Sequence, residues 1–227
     1  MRNYIFVYFL PGACGNFLCR SINLLNGTYF YLRADGSIPQ TLDEKLEILN
    51  YEKVKDYQNK NLNWFTWEFE NKIEFLPNIN HTSLPNNSSI ILSKHPTKET
   101  IKLQEILAGQ DDRVFLFYVD IDQDFEWVFL NSIHKSSYWT EEWLVNYSEI
   151  KNDPRYFKIS LKNIITSVDT FIEEFNLICN HMNVTPTQHE LSAVRILYDQ
   201  WKSTTIDYEK CDEYKQLLGL PKKLFCK

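Results

Sequence analysis

The chain has 227 residues, 44% hydrophobic and 15% aromatic, which suits one domain with a buried core and excludes a disordered chain. Its formal charge of −6 comes from 24 basic and 30 acidic residues scattered without blocks, which excludes a nucleic-acid tail and a basic membrane-binding patch. A phosphate-bearing ligand therefore has to be held by local groups, against the field of the whole molecule.

The first apolar run, Tyr4-Ile5-Phe6-Val7-Tyr8-Phe9-Leu10 behind Arg2, has the outline of a short signal peptide. It is only seven residues long, includes two tyrosines and ends at Pro11, after which an amphipathic pattern resumes. The run is read instead as a strand buried on both faces of a parallel sheet. Residues 11–15 break it. From Asn16, Phe17, Leu18, Ile22, Leu24 and Leu25 give a helix ending at Gly27.

Residues 28–33 are a second strand or an extended loop, and 41–60 a polar helix. The segment 61–87 is irregular and rich in Trp and Asn, as expected of a variable insertion over the sheet edge. Its aromatic residues Trp64, Phe65, Trp67 and Phe69 either stack on a ring or sugar or serve packing. Residues 89–93 form a short buried strand stopped by Pro96. A helix over 97–108 turns Ile101, Leu103, Ile106 and Leu107 inward.

The run 114–119 (Val-Phe-Leu-Phe-Tyr-Val) is a strand, followed by helices at 125–134 and 139–147 and a strand at 156–161. A long amphipathic helix covers 164–182, and a last substantial helix runs from Pro186 to about Trp201. Alternating strands and helices predict a single α/β domain over 1–227, a parallel sheet with helices on both faces. The cysteines Cys14, Cys19, Cys179, Cys211 and Cys226 are odd in number and contain no CxxC pair. They frame neither a zinc site nor a disulfide scaffold, and suit reduced thiols in the cytoplasm.

Three places carry candidate chemistry. In Pro11-Gly12-Ala13-Cys14-Gly15-Asn16-Phe17-Leu18, small residues between a buried strand and a helix let main-chain N–H groups point into one concavity at the helix's positive end. The loop contains no Gly-Lys-Ser/Thr and no lysine, so it is not a Walker A motif. The same residues also fit a tight turn that only permits close packing.

In Ser93-Lys94-His95-Pro96, at the carboxyl end of a strand where open α/β sheets bind ligands, His95 is placed to act as a base and Lys94 to meet an anion. His95 equally suits the cap of a turn. After the 114–119 strand, Asp120 and Asp122 could hold a metal or serve as a helix cap and solvated turn. Asn131, Ser132 and Lys135 either reach a phosphate from one helix face or form that helix's solvent side.

Together these segments resemble, in order and spacing over residues 4–182, the sulfotransferase family. Its members are P-loop-like enzymes that use 3′-phosphoadenosine 5′-phosphosulfate. Pro11 to Leu18 stand where that family has its Pro-Lys-Ser-Gly-Thr-Thr-type loop. Lys94-His95-Pro96 resembles the segment with the family's catalytic histidine. Residues 118–124 follow the outline of its Arg-Asn-Pro-x-Asp turn, and Ile159-Ser160-Leu161-Lys162 echoes a later strand before a long helix.

The resemblance implies a three-layer, P-loop NTPase-like fold and sulfuryl transfer from that donor to a hydroxyl on a small molecule or glycan. It implies donor contacts from Gly12, Ala13, Cys14, Gly15, Asn16, Phe17, Asn131 and Ser132, and catalytic roles for His95, Lys94 and Asn16. Neither a metal nor a nucleic-acid or membrane partner enters the scheme. The chain departs from the family at the loop lysine, which has no counterpart among Gly12, Ala13 and Cys14. The family arginine falls at Asp120, the family serine near Val128, and the late Arg-Lys-Gly segment is replaced at best by Lys222 and Lys223. Two alternatives stay open: a non-catalytic binding or assembly protein on the same fold, and a small-molecule kinase that would need Mg²⁺ and enlist Asp120 or Asp122.

Overall fold

A computed structural model of the chain describes residues 3–29, 31–33, 41–49, 62–64, 88–109, 113–121, 124–134 and 139–219. The first apolar run is the middle of the structure. Strand β1 (Asn3–Tyr8) pairs in parallel with β5 (Ser89–Lys94) on one side and β6 (Arg113–Asp120) on the other. Beyond them lie β2 (Thr28–Tyr29) and β7 (Phe157–Ser160), giving an all-parallel sheet of order β2-β5-β1-β6-β7. Residues 4–8 of β1 are 0–3% exposed, which is why the run lacks alternation: both of its faces are covered.

The winding reverses at β1. Helix α1 (Gly15–Asn23) leads from β1 to the β2 edge, whereas α3 (Lys98–Ala108) carries the chain from β5 across to β6. Right-handed crossovers running in opposite directions put their helices on opposite faces. Phe17 of α1 stacks on Trp201 of α8 (Gln188–Lys202) at 4.2 Å and meets Phe171 of α7 (Val168–His181) at 4.9 Å. Such ring pairs add about 0.5–1.5 kcal/mol each beyond burial. On the other face, the Tyr8 hydroxyl lies 3.0 Å from Gln104 Oε1 and 3.2 Å from the Thr100 carbonyl of α3. Tyr156 donates to the same Gln104 oxygen at 2.9 Å. The protein is thus a three-layer α/β domain with helices on both faces of a parallel sheet.

That polar network corrects one expectation. Thr100 and Gln104 are buried in α3, whereas Ile106, expected inward, is 40% exposed. The helix expected over 164–182 is two helices, α6 (Leu161–Thr166) and α7, broken at Ser167, whose extended backbone (φ −155°) starts a capping box with Thr170. The helix expected at 139–147 is α5 (Glu141–Asn152), and the one at 125–134 is α4 (Phe125–His134). A short helix α9 (Cys211–Leu217) follows where none was expected.

Of the region 28–87, the described parts are β2, β3 (Tyr31–Arg33) paired antiparallel with β4 (Leu62–Trp64), and α2 (Leu42–Leu49). The rest of the expected insertion at 61–87 lies outside the described residues. Among the described residues, no helix is long and apolar enough to cross a membrane, and Cys14, Cys19, Cys179 and Cys211 carry reduced thiols.

Lys45 of α2 locks the carboxyl end of α1. Its buried Nζ donates to the carbonyls of Asn23, Leu25 and Thr28 at 2.6, 2.8 and 2.7 Å. Burial pushes the ammonium down to about 8, with the charge of Glu190 opposing the shift. At neutral pH it stays charged and uses all three donors on carbonyls at and just beyond the negative end of the α1 dipole. Lys45→Met is therefore expected to lower unfolding free energy by about 2 kcal/mol, read from urea denaturation, because it strips charge-assisted bonds from buried carbonyls.

Candidate functional site at the carboxyl ends of β1, β5 and β6

Register places Tyr8 beside both Lys94 and Tyr118, so the loops after β1, β5 and β6 open side by side. The loop after β1 is held by its carbonyls. The Phe9 oxygen accepts from His95 Nδ1 at 3.0 Å, and Leu10 from the Ala13 N–H at 3.0 Å. The Pro11 oxygen accepts from Trp139 Nε1 at 3.0 Å, and Gly12 from Asn131 Nδ2 at 2.7 Å. Four consecutive carbonyls are thereby engaged by the protein's own donors.

The amides that follow are arranged differently. Cys14 is left-handed (φ 63°, ψ 8°) and Gly15 begins α1, an alternation of hand that turns successive N–H groups toward one concavity. The amide of Leu18 bonds to the Cys14 carbonyl at 3.0 Å; the helix geometry gives the earlier ones no intrahelical acceptor. Helices α3, α5, α6, α7 and α8 each start on a Ser or Thr whose hydroxyl accepts an amide of the first turn, but α1 has no side-chain cap. Of the loop residues assigned to the donor, Ala13 uses its N–H within the turn. Gly12, Cys14 and Gly15 form the turn into α1, the Asn16 side chain is exposed there, and the Phe17 ring is buried away from it against Trp201 and Phe171.

Two glycines are required by close approach. A Cβ on Gly12 (φ +89°) would sit 2.3 Å from the Val128 carbonyl oxygen and 2.9 Å from the Ser132 nitrogen, and one on Gly15 would sit 1.9 Å from the Phe9 ring. The main chain of α4 is therefore seated directly on the loop. Asn131 and Ser132 form its buried face, 0% and 2% exposed, and not its solvent side. The Asn131 amide supports the Gly12 carbonyl, while its Oδ1 is buried without a hydrogen-bond partner among the described groups.

His95 is brought to the loop. A carbonyl oxygen only accepts, so the contact with Phe9 fixes the proton on Nδ1 and makes Nε2 the basic nitrogen of the neutral ring. The imidazole stacks on Trp143 (4.3 Å, 23°) and meets the edge of Phe9 at 5.0 Å. The carbonyl of His95 accepts from the Thr97 amide at 2.9 Å and the Thr100 hydroxyl at 3.2 Å. The main chain of Lys94 ends β5, but its side chain lies outside the described residues.

The described acids at the end of β6 and the start of α4 are each paired. Asp120 pairs with Lys158 at 2.5 Å, and the buried Asp124 accepts from the Tyr208 hydroxyl at 2.7 Å. That hydrogen bond first, then burial, pushes the Tyr208 phenol up to about 12. Among the described residues, no three His, Cys, Asp or Glu side chains group to hold a metal. Asp122, Lys135, Lys222 and Lys223 lie outside the described residues.

Sequence reasoning missed Phe9, Trp139 and Trp143. Trp143 lies in the first turn of α5 and Trp139 just before its Thr140 cap, so their spacing of four suggests one helix face only in the helix expected over 139–147. It was the only signal available for them.

No family model matches the chain, and no curated protein does. A solved structure, the sulfotransferase domain from the curacin biosynthetic pathway, is similar over 97% of this chain and 99% of that chain, with 12% identity and a TM-score of 0.41. At that identity and score, the likeness assigns neither a family nor an activity.

Proposed function

We propose that the protein is a sulfotransferase-like enzyme, moving a sulfuryl group from 3′-phosphoadenosine 5′-phosphosulfate to a hydroxyl on a small molecule or glycan. The observation that carries this reading is the bond from His95 Nδ1–H to Phe9, the residue that opens the anion loop. It supports a neutral His95 with its proton on Nδ1, next to the residue that leads into the loop before α1.

The donor fits the residues present in part. The amides of Cys14, Gly15 and Asn16 suit its 5′-phosphate, and the Asn16 side chain, with Lys94, suits the equatorial oxygens. The acceptor's proton passes to His95 Nε2 as its oxygen bonds to sulfur and the sulfur–phosphate-oxygen bond breaks. The leaving phosphate keeps that electron pair. Positioning and charge stabilisation then do most of the work, by analogy with phosphoryl transfer. Asn131 and Ser132 serve the donor through the loop they support. A 3′-phosphate would find Asp120 and Lys158 already paired where the family has an arginine.

That pairing, with the lysine-free loop, favours a second reading: a non-catalytic protein on the same fold whose loop only recognises an anion. Calorimetry and thermal unfolding with 3′-phosphoadenosine 5′-phosphate test both. Saturation at 100 times Kd is expected to add about 2.7 kcal/mol of stability. Neither heat nor a shift in Tm at millimolar ligand would remove the donor and leave the second reading. Binding without sulfuryl transfer to any phenol or sugar acceptor would also favour it.

A further inference from the structure

We propose that Trp143 is a positioning residue that sets the tautomer and aim of the His95 imidazole, with α5 as the element that presents the base to the loop. The role in turnover rests on His95 acting as the base; the role in orientation does not.

One face of α5 braces both turns of the site. Glu142 Oε1 accepts from the Lys98 amide at 3.2 Å, Trp143 stacks on His95, and Asn146 Nδ2 donates to the Pro96 carbonyl at 2.8 Å. The Tyr147 hydroxyl donates to the Val119 carbonyl at 2.8 Å and accepts from the Ile121 amide at 3.1 Å. Positions 142, 143, 146 and 147 are the i, i+1, i+4, i+5 set that shares one side of a helix. They bridge the end of β6 to the turn between β5 and α3.

An imidazole meets a carbonyl through Nδ1 only over a narrow range of ring rotation. Around His95 the Phe9 edge and the indole face of Trp143 hold that rotation. With the indole gone the ring is free to turn, the bond to Phe9 lapses, and the proton moves to Nε2, the nitrogen that has to accept in catalysis. The indole face also lies where a positive charge forms once the ring is protonated.

The test compares wild type, W143F and W143A in protein labelled with ¹⁵N at histidine, the His95 signal being assigned by its loss in H95Q. In wild type and W143F the His95 proton is expected on Nδ1, and in W143A on Nε2. In the transfer assay, kcat of W143A is expected to fall about tenfold or more with the donor KM within about twofold, and W143F to retain most of the rate. A wild-type His95 protonated on Nε2 overturns the proposal without any variant having to fold, and so does an unchanged ¹⁵N pattern in W143A. If wild type transfers no sulfuryl group, the functional reading fails while the tautomer comparison still decides the role of Trp143.

Discussion

Replacing His95 by alanine is expected to lower turnover by about 100-fold or more while 3′-phosphoadenosine 5′-phosphate binds as it does to wild type. The two effects separate because different atoms carry them. In the proposed scheme main-chain amides at the start of α1 hold the ligand, and His95 supplies none of them. In the same scheme the base is Nε2, which the Nδ1 contact with Phe9 leaves unprotonated in the neutral ring. Truncation also leaves the Phe9 carbonyl short of a donor, at a cost of about 1 kcal/mol, so turnover and calorimetry should be measured on one preparation below its Tm. Full activity in H95A would remove His95 from the mechanism. Loss of ligand binding with the fold intact would make it a structural support for the loop.

Gly12→Ala is expected to destabilise the fold by about 3 kcal/mol or more and to abolish ligand binding. The atoms that a new methyl group would meet are main-chain atoms of α4, the Val128 carbonyl 2.3 Å away and the Ser132 nitrogen 2.9 Å away. Neither can move unless the helix moves. That helix carries Trp127, which is buried and donates to the Ile206 carbonyl at 3.4 Å. The left-handed φ of +89° adds a backbone penalty on top of the overlap. Gly27→Ala is the matched control: its φ is +73°, but nothing lies within 4 Å of the new Cβ. It should cost only about 1 kcal/mol, the backbone part alone. Urea denaturation of the two variants separates overlap from conformation. Equal losses would mean that the loop and α4 are not in contact.

The parallel sheet was legible because its three central strands are apolar runs cut off by a turn residue: β1 at Pro11, β5 before Pro96, β6 at the acids from Asp120. Strand order was not, since nothing in residues 28–29 says that they pair with β5 and not with β1. The long helix over 164–182 was overcalled because apolar spacing continues through Ser167, although Ser167-x-x-Thr170 is itself a helix-start signal. Ile106 was placed inward because hydrophobic periodicity counts only apolar residues. The inward face of α3 is instead fixed by Thr100 and Gln104 reaching the Tyr8 and Tyr156 hydroxyls.

At the site, Pro11 to Leu18 and His95 could be singled out from local composition and strand-end position. Their junction could not: it depends on a hydrogen bond spanning 86 residues between Phe9 and His95. The roles of Asn131, Trp139 and Trp143 are tertiary in the same way. Each is set by which loop atom a side chain meets across the fold.

The most direct measurement is a crystal structure of the protein with saturating 3′-phosphoadenosine 5′-phosphate. The expected density places the 5′-phosphate against the amides of Gly15 and Asn16, within reach of His95. Ligand found elsewhere, or no ligand at the α1 mouth at millimolar concentration, would contradict the reading of this loop as an anion site and with it the proposed transfer.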